Sequence, residues 1–312
     1  MTTAPAPLYR DPVFDGPTDP TVIWNREEQT WWMVYTQRRA NVPCHGVSWV
    51  HGTDLGVAES RDQGRSWLYR GTLNLESIEK GRNTFWAPEI LWTRGQYHMF
   101  VSYITGVPET WAGSRRILHY VSQNLWDWTY ADTLALSSDR VIDACVYKAE
   151  NGYMLWYKDE ADGSHTHAAV SRDLKLWEHL GRATEDQAQE GPNVFALGGF
   201  YWMIADTWQG QAVYLSGDLM HWERQSGMIL AQPGRRADDG NRGHHADVLV
   251  QGDKAYIFYF VHPQGDTADP ASHAARRSSV QVACLKAEGG QLCLVRDEPF
   301  DFVLDHDLNE DS

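Results

Sequence analysis

Short apolar runs rich in Val, Ile, Trp and Tyr recur along the chain, and no long stretch carries helical spacing. The runs WWMVYT (31–36), YHMFVSYI (97–104), YMLWYKD (153–159), YWMIADT (201–207) and AYIFYFVH (255–262) are almost continuously apolar, which predicts buried strands. Each follows a turn: NREEQ (25–29), TRG (93–95), ENG (150–152), LGG (197–199) or QGD (251–253). Before each turn lies a further short strand: TVIW (21–24), EILW (89–92), ACVYK (144–148), NVFAL (193–197) or DVLVQ (247–251). Five hairpins result. A second motif of the form Ser-x-Asp-Leu-x-x-Trp follows four of them, as SRDQGRSW (60–67), SQNLWDW (122–128), SRDLKLW (171–177) and SGDLMHW (216–222). Its Asp or Asn opens a turn, and Trp67, Trp128, Trp177 and Trp222 are expected to begin outer strands packed between sheets. The two interleaved motifs are an internal repeat of four strands, and five repeats predict an all-β, five-bladed β-propeller. No linker divides it, so residues 1–312 are expected to form one catalytic-sized domain, with a frayed acidic tail, DHDLNEDS (305–312).

Composition narrows the partners. Lys and Arg number 27 and Asp and Glu 42, a net charge of −15, which repels phosphate backbones and anionic lipid and argues against nucleic acid or a membrane surface as partner. Hydrophobic residues at 42 % argue against disorder. Trp (15) and Tyr (14) outnumber Phe (9), which suits either an aromatic β core or the stacking of flat ligands. No basic segment followed by an apolar run opens the chain, and no stretch reaches transmembrane length, so a cytoplasmic location is expected. Cys44, Cys145, Cys284 and Cys293 are scattered and are expected to be free thiols.

In a propeller the innermost strand of each blade lines the central channel, so the starts of those strands converge at one mouth. Here they carry Asp19, Trp86, Asp143, Glu190 and His245. Two carboxyl groups across a pocket can cleave a glycosidic bond, one donating a proton to the leaving oxygen and the other taking one from water. A third carboxylate close by raises the acid's pKa by like-charge repulsion. Taken singly, Asp19 before Pro20 and Asp143 are equally well strand caps, and Glu190 is equally well exposed. Asp11 also precedes a Pro, but Asp19 lies 12 residues before Trp31, close to the spacing of Asp143 from Met154 and of Glu190 from Tyr201.

The motifs TDPTVIW (18–24), FWAPEILW (85–92), VIDACVYK (141–148), EGPNVF (190–195) and RGHHADVLV (242–250), in this order, resemble glycoside hydrolase family 43 and its relative family 32, both five-bladed propellers. The resemblance implies Asp19 as general base, Glu190 as general acid and Asp143 as the residue that tunes and orients the acid. It implies Trp86 as a stacking wall and His245 as the channel histidine, which in the family often sits beside a calcium ion held through waters. Arg277, with Arg276 next to it, is the implied contact to a sugar hydroxyl. The implied activity is that of an inverting, exo-acting glycoside hydrolase on small oligosaccharides, with α-L-arabinofuranosides or β-D-xylosides as substrates. No cofactor is required, and calcium in the channel is an expectation of the resemblance alone. Alternatives are an anhydro-galactosidase-like propeller hydrolase, a non-catalytic sugar-binding propeller and a protein-interaction propeller. Asp143 is followed by Ala-Cys where the family more often has a Pro-Ser type of pair, and blade five has two candidates, His244 and His245.

Other residues could reach the pocket rim. His165 and His167 read as a polar strand edge, a metal pair or sugar contacts. Trp49, with His45 and His51, Trp111, Trp208 and Arg242 lie in loops that could border the pocket.

Overall fold

The computed structural model describes residues 4–306, and the apolar runs fold there as antiparallel meanders. Blade one holds β1 (Pro17–Asn25), β2 (Thr30–Gln37), β3 (Leu55–Ser60) and β4 (Leu68–Thr72). Blade two holds a short parallel addition, β5 (Asn74–Leu75), then β6 (Thr84–Thr93), β7 (Gln96–Ile104), β8 (Arg116–Ser122) and β9 (Asp127–Thr133). Blade three is β10 (Val141–Ala149), β11 (Gly152–Asp159), β12 (His165–Ser171) and β13 (Glu178–Arg182). Blade four is β14 (Glu190–Leu197), β15 (Phe200–Asp206), β16 (Gln211–Ser216) and β17 (Glu223–Ile229). Blade five is β18 (Ala246–Gln251), β19 (Lys254–Val261), β20 (Ser279–Glu288) and β21 (Gln291–Val295), with a single helical turn, α1 (His273–Arg276), between β19 and β20. The inner strands β1, β6, β10, β14 and β18 pack side by side in a closed ring. The chain is a five-bladed β-propeller. The acidic tail beyond residue 306 lies outside the described residues.

The second strands carry the core. Every residue of β2 is buried, and Trp32, Trp156 and Trp202 lose all exposure. Such strands are covered on both faces by neighbouring blades, which is why they read as continuous apolar runs. The repeated Ser and Asp build turns: Ser171 Oγ accepts Leu174 N–H at 2.9 Å, and Asp173 Oδ1 accepts Lys175 N–H at 2.9 Å. Ser216 and Asp218 do the same for Leu219 and Met220. Of the four repeat tryptophans only Trp128 is fully buried; Trp67, Trp177 and Trp222 are partly buried against the inter-blade clusters. All four cysteines are free. Among the described residues no helix is long and apolar enough to cross a membrane.

Candidate active site

Four inner strands begin with the same irregularity. In blade one Thr18 pairs with Thr36 and Thr21 with Val34, so Asp19 and Pro20 stand opposite Tyr35 alone, a β-bulge. The two-for-one count recurs at Ala87–Pro88, Asp143–Ala144 and Gly191–Pro192. The first bulge residue has positive φ in each: 48° at Asp19, 46° at Ala87, 59° at Asp143 and 55° at Gly191. The second is proline in three blades, where no ladder N–H is needed. The Asp-Pro, Ala-Pro and Gly-Pro pairs are therefore bulge chemistry. This corrects the expectation that the five residues occupy one equivalent position. Asp19 and Asp143 sit on the bulge, Trp86 and Glu190 one residue before it, and His245 directly before β18, whose pairing with β19 is unbroken.

Each strand start is held by the blade before it. Thr36, Ser102, Lys158 and Asp206 pair with the residue preceding the bulge of their own blade. Their side chains reach the next blade. Thr36 Oγ1 accepts Ala87 N–H at 2.8 Å, Ser102 Oγ accepts Asp143 N–H at 2.9 Å, and Asp206 Oδ2 accepts His245 N–H at 3.1 Å. Lys158 Nζ donates to Glu190 Oε2 at 2.9 Å. Asp143 Oδ2 accepts Gly191 N–H at 3.1 Å, which ties the Asp143 carboxyl to the backbone beside Glu190. Gly191 is required twice over: by its positive φ, and because a Cβ there would lie 2.5 Å from the His245 ring.

Asp19, Trp86, Asp143, Glu190 and His245 line one cavity of about 540 Å³ at this mouth of the channel. Trp86 is anchored by its Nε1–H to Val50 O at 2.6 Å, with the buried His51 ring behind it. His245 Nδ1 faces Asp19 Oδ1 at 3.6 Å. His244 lines the cavity too, held by Asp206 and stacked on Phe260. Arg277 does not line it: its guanidinium is paired with Asp238 at 2.9 Å and Asp15 at 3.3 Å. Arg276 packs over Trp49, and neither reaches the lining. His167 is held by Asp162 and His179 on the outer part of blade three. Trp111 and Trp208 are at the cavity, and Arg242 supports the Trp208 loop from behind.

Several lining residues escaped the sequence reading: Arg38, Arg115, Arg140, Lys158, Glu160 and His262. The available signal is positional. Arg38, Lys158 and His262 stand at the ends of apolar second strands, beside the strand starts that carry the acids.

Electrostatics separates the three acids. Burial pushes Asp19 up, but Arg38 at 3.6 Å, His245 and the Thr18 hydroxyl outweigh it, and its pKa falls below the usual carboxylate range. Burial, reinforced by the neighbouring Glu190 charge, pushes Asp143 up to about 6 despite His245. Burial also pushes Glu190 up, but the Lys158 ammonium more than offsets it and holds Glu190 low. The proton of the Asp143–Glu190 pair thus rests on Asp143, and the two titrate as a unit. The site therefore offers one buried ionised carboxylate, one shared carboxyl proton and aromatic walls, the requirements for proton transfer on both sides of a glycosidic bond. Among the described residues no group of three or more His, Cys, Asp or Glu side chains is placed to hold a metal ion.

Known proteins share this fold. Among solved structures the chain is similar to a thermostable family-43 glycoside hydrolase, with TM-score 0.69 and 19% identity over 95% of this chain and 99% of that one. It is similar to an endo-arabinase from Bacteroides thetaiotaomicron VPI-5482, with TM-score 0.63 and 17% identity over 93% and 99% of the two chains. It is also similar to an exo-1,5-alpha-L-arabinanase from a bovine ruminal metagenomic library, with TM-score 0.64 and 15% identity over 93% and 100%. These likenesses show the fold. No curated protein matches the chain. The family model described as "Probable glycosyl hydrolase domain", related to glycosyl hydrolase family 43, matches residues 11–230, so the chain belongs to that family and is a glycoside hydrolase.

Proposed function

We propose that this glycosidase inverts at the anomeric carbon and removes single terminal sugars from small oligosaccharides, with α-L-arabinofuranosyl or β-D-xylosyl units as the glycone. The observation that carries the reading is the convergence of Asp19, Asp143 and Glu190, from three blades, on one cavity. The cavity's volume suits a single small ligand. Two of its structural neighbours are an endo-arabinase and an exo-arabinanase, which favours a pentosyl glycone.

The reaction balances as follows. A water oxygen attacks the anomeric carbon and gives a proton to Asp19. The bond from that carbon to the leaving oxygen breaks, and Glu190 gives its proton to that oxygen. Asp143 holds the pair's proton beforehand and passes it to Glu190 as the substrate arrives. Trp86 stacks on the sugar face, and His245 keeps Asp19 oriented.

Turnover of an aryl-glycoside panel tests this. General acid–base groups contribute about 10²–10⁴-fold, so Asp19→Asn and Glu190→Gln should each lose activity in that range. Near-wild-type turnover by either variant refutes the roles. The first-formed product anomer, read by proton NMR, should be inverted, and retention overturns the water-attack scheme.

A further inference from the structure

The pocket wall beside Glu190 holds more positive charge than its carboxylates balance. Lys158 Nζ lies 2.9 Å from Glu190 Oε2 and 3.6 Å from Glu160 Oε1. The same Glu160 carboxylate takes Arg115 Nη1 at 3.0 Å and Arg140 Nη2 at 3.3 Å. Three cations share two carboxylates. A general acid must carry its proton to act, so in the working form these three cations face two charged carboxylates, Glu160 and Asp143, and one positive charge is in excess. The chain as a whole stands at −15, so this excess is local.

The cations are graded from floor to rim. The side chains of Arg115 and Lys158 are 2% and 6% exposed, whereas Arg140 is 43% exposed. Its exposed part is the outer guanidinium, because Arg140 Nε is itself buried, without a hydrogen-bond partner among the described residues, and Nη2 bonds Glu160. Two of the exposed tryptophans adjoin the cluster. Lys158 Nζ lies 5.2 Å from the Trp208 ring centroid, and Arg115 Nη2 donates to Trp111 O at 2.6 Å.

Glu190 delivers its proton to the leaving oxygen, so this wall meets the leaving group, while Asp19 and Arg38 stand on the side from which water attacks. We infer that the leaving-group side of the pocket is a subsite for an acidic sugar, so that the substrate is a pentosyl unit attached to a residue bearing a carboxylate. The inference rests on Glu190 being the general acid. The exposed end of the Arg140 guanidinium offers a charged donor to a carboxylate, and Trp208 offers a ring face to the sugar. A neutral sugar leaves the excess charge unanswered. A sulfate ester brings the same charge in a different geometry, and the test separates the two.

Binding of galacturonate, its methyl ester and galactose 6-sulfate is measured by saturation-transfer NMR on the whole protein, with Arg140→Gln and Arg140→Lys alongside. Galacturonate should bind at least about tenfold tighter than its ester, which lacks the negative charge. Arg140→Gln should erase most of that ratio, and Arg140→Lys should retain part of it. Melting temperatures of the variants report whether they fold. Equal binding of acid and ester overturns the inference, and galactose 6-sulfate binding as tightly as galacturonate overturns the carboxylate in favour of a sulfate. A kinetic arm compares an arabinosyl-galacturonate disaccharide with its methyl ester, expecting at least about tenfold higher kcat/KM for the acid. Hydrolysis of aryl pentosides without any acid preference sinks this inference and leaves the hydrolase mechanism standing. Acid-selective binding without hydrolysis of any glycoside supports the anion site and sinks the mechanism.

Discussion

Arg38 and Lys158 act on opposite partners. Arg38 stands 3.6 Å from Asp19 and stabilises it as a carboxylate, while Lys158 bonds Glu190 and shares the field of Asp143. The proposed mechanism needs Asp19 ionised and one proton on the Asp143–Glu190 pair. As pH rises through about 6 the pair loses that proton, so kcat/KM should fall on the alkaline side. The acid limb lies below the ordinary carboxylate value of about 3.9, where Asp19 protonates. Arg38→Met removes a cation from Asp19, raises its pKa and should move only the acid limb upward. Lys158→Met raises the proton affinity of the pair and should move the alkaline limb upward. A pH–rate profile checks both, and limbs that move together would dissociate these cations from their assigned partners. Asp19, Asp143 and Glu190 were legible in the sequence because each opens a repeat, where packing does not call for an acid. Lys158 was not, because its meaning depends on Glu190, which lies 32 positions away in the next blade.

Strands were the most legible elements, since burial on both faces writes them as apolar runs. Their first residues were not. The apolar run of β10 is read from Ala144, but the strand starts at Val141, and the bulge between Ile142 and Cys145 lies where Asp143 interrupts the apolar pattern. One residue of register decides whether Glu190 or Gly191 takes the bulge, and a hydrophobicity pattern does not carry that step. The inner strands are also stapled to one another by carboxyls. Glu89 Oε1 on β6 accepts Val146 N–H of β10 at 2.8 Å, and Asp247 Oδ2 on β18 accepts Val22 N–H of β1 at 2.8 Å. Burial first, then the Asp247 charge, pushes Glu89 up to about 8. Its folded pKa stands above its unfolded value, so its stabilisation is complete below about 4.3 and is lost as pH rises through about 8. The melting temperature should decline over that window. Glu89→Gln keeps the acceptor and removes the titration, so its decline should be shallower. Parallel melting curves for the two proteins between pH 5 and 9 would show that Glu89 is not the group responsible.

The whole ring has to be closed by something other than a shared strand, because every blade is built from consecutive strands of one stretch of chain. Both ends of the described chain lie across the seam between blades five and one. Leu8 N–H donates to Val280 O of β20 at 2.9 Å, and the Tyr9 hydroxyl meets that of Tyr35 in β2 at 3.0 Å. From the other end Phe302 is fully buried against Tyr256 and Phe258 of β19, and Leu304 exchanges backbone contacts with Gln63 and with the Trp31 indole of blade one. Across this seam Asp19, from blade one, faces His245, from blade five. The closure therefore holds the proposed base in place as well as the fold. Truncating a fully buried Phe costs about 3–5 kcal/mol, and Phe302→Ala should lose stability of that order in denaturant unfolding. Because the seam opens where Asp19 and His245 meet, activity should fail at lower temperature than the far-ultraviolet signal of the sheets. A stability loss under about 1 kcal/mol, or activity and sheet signal melting together, would place the closure in the remaining contacts of blades one and five.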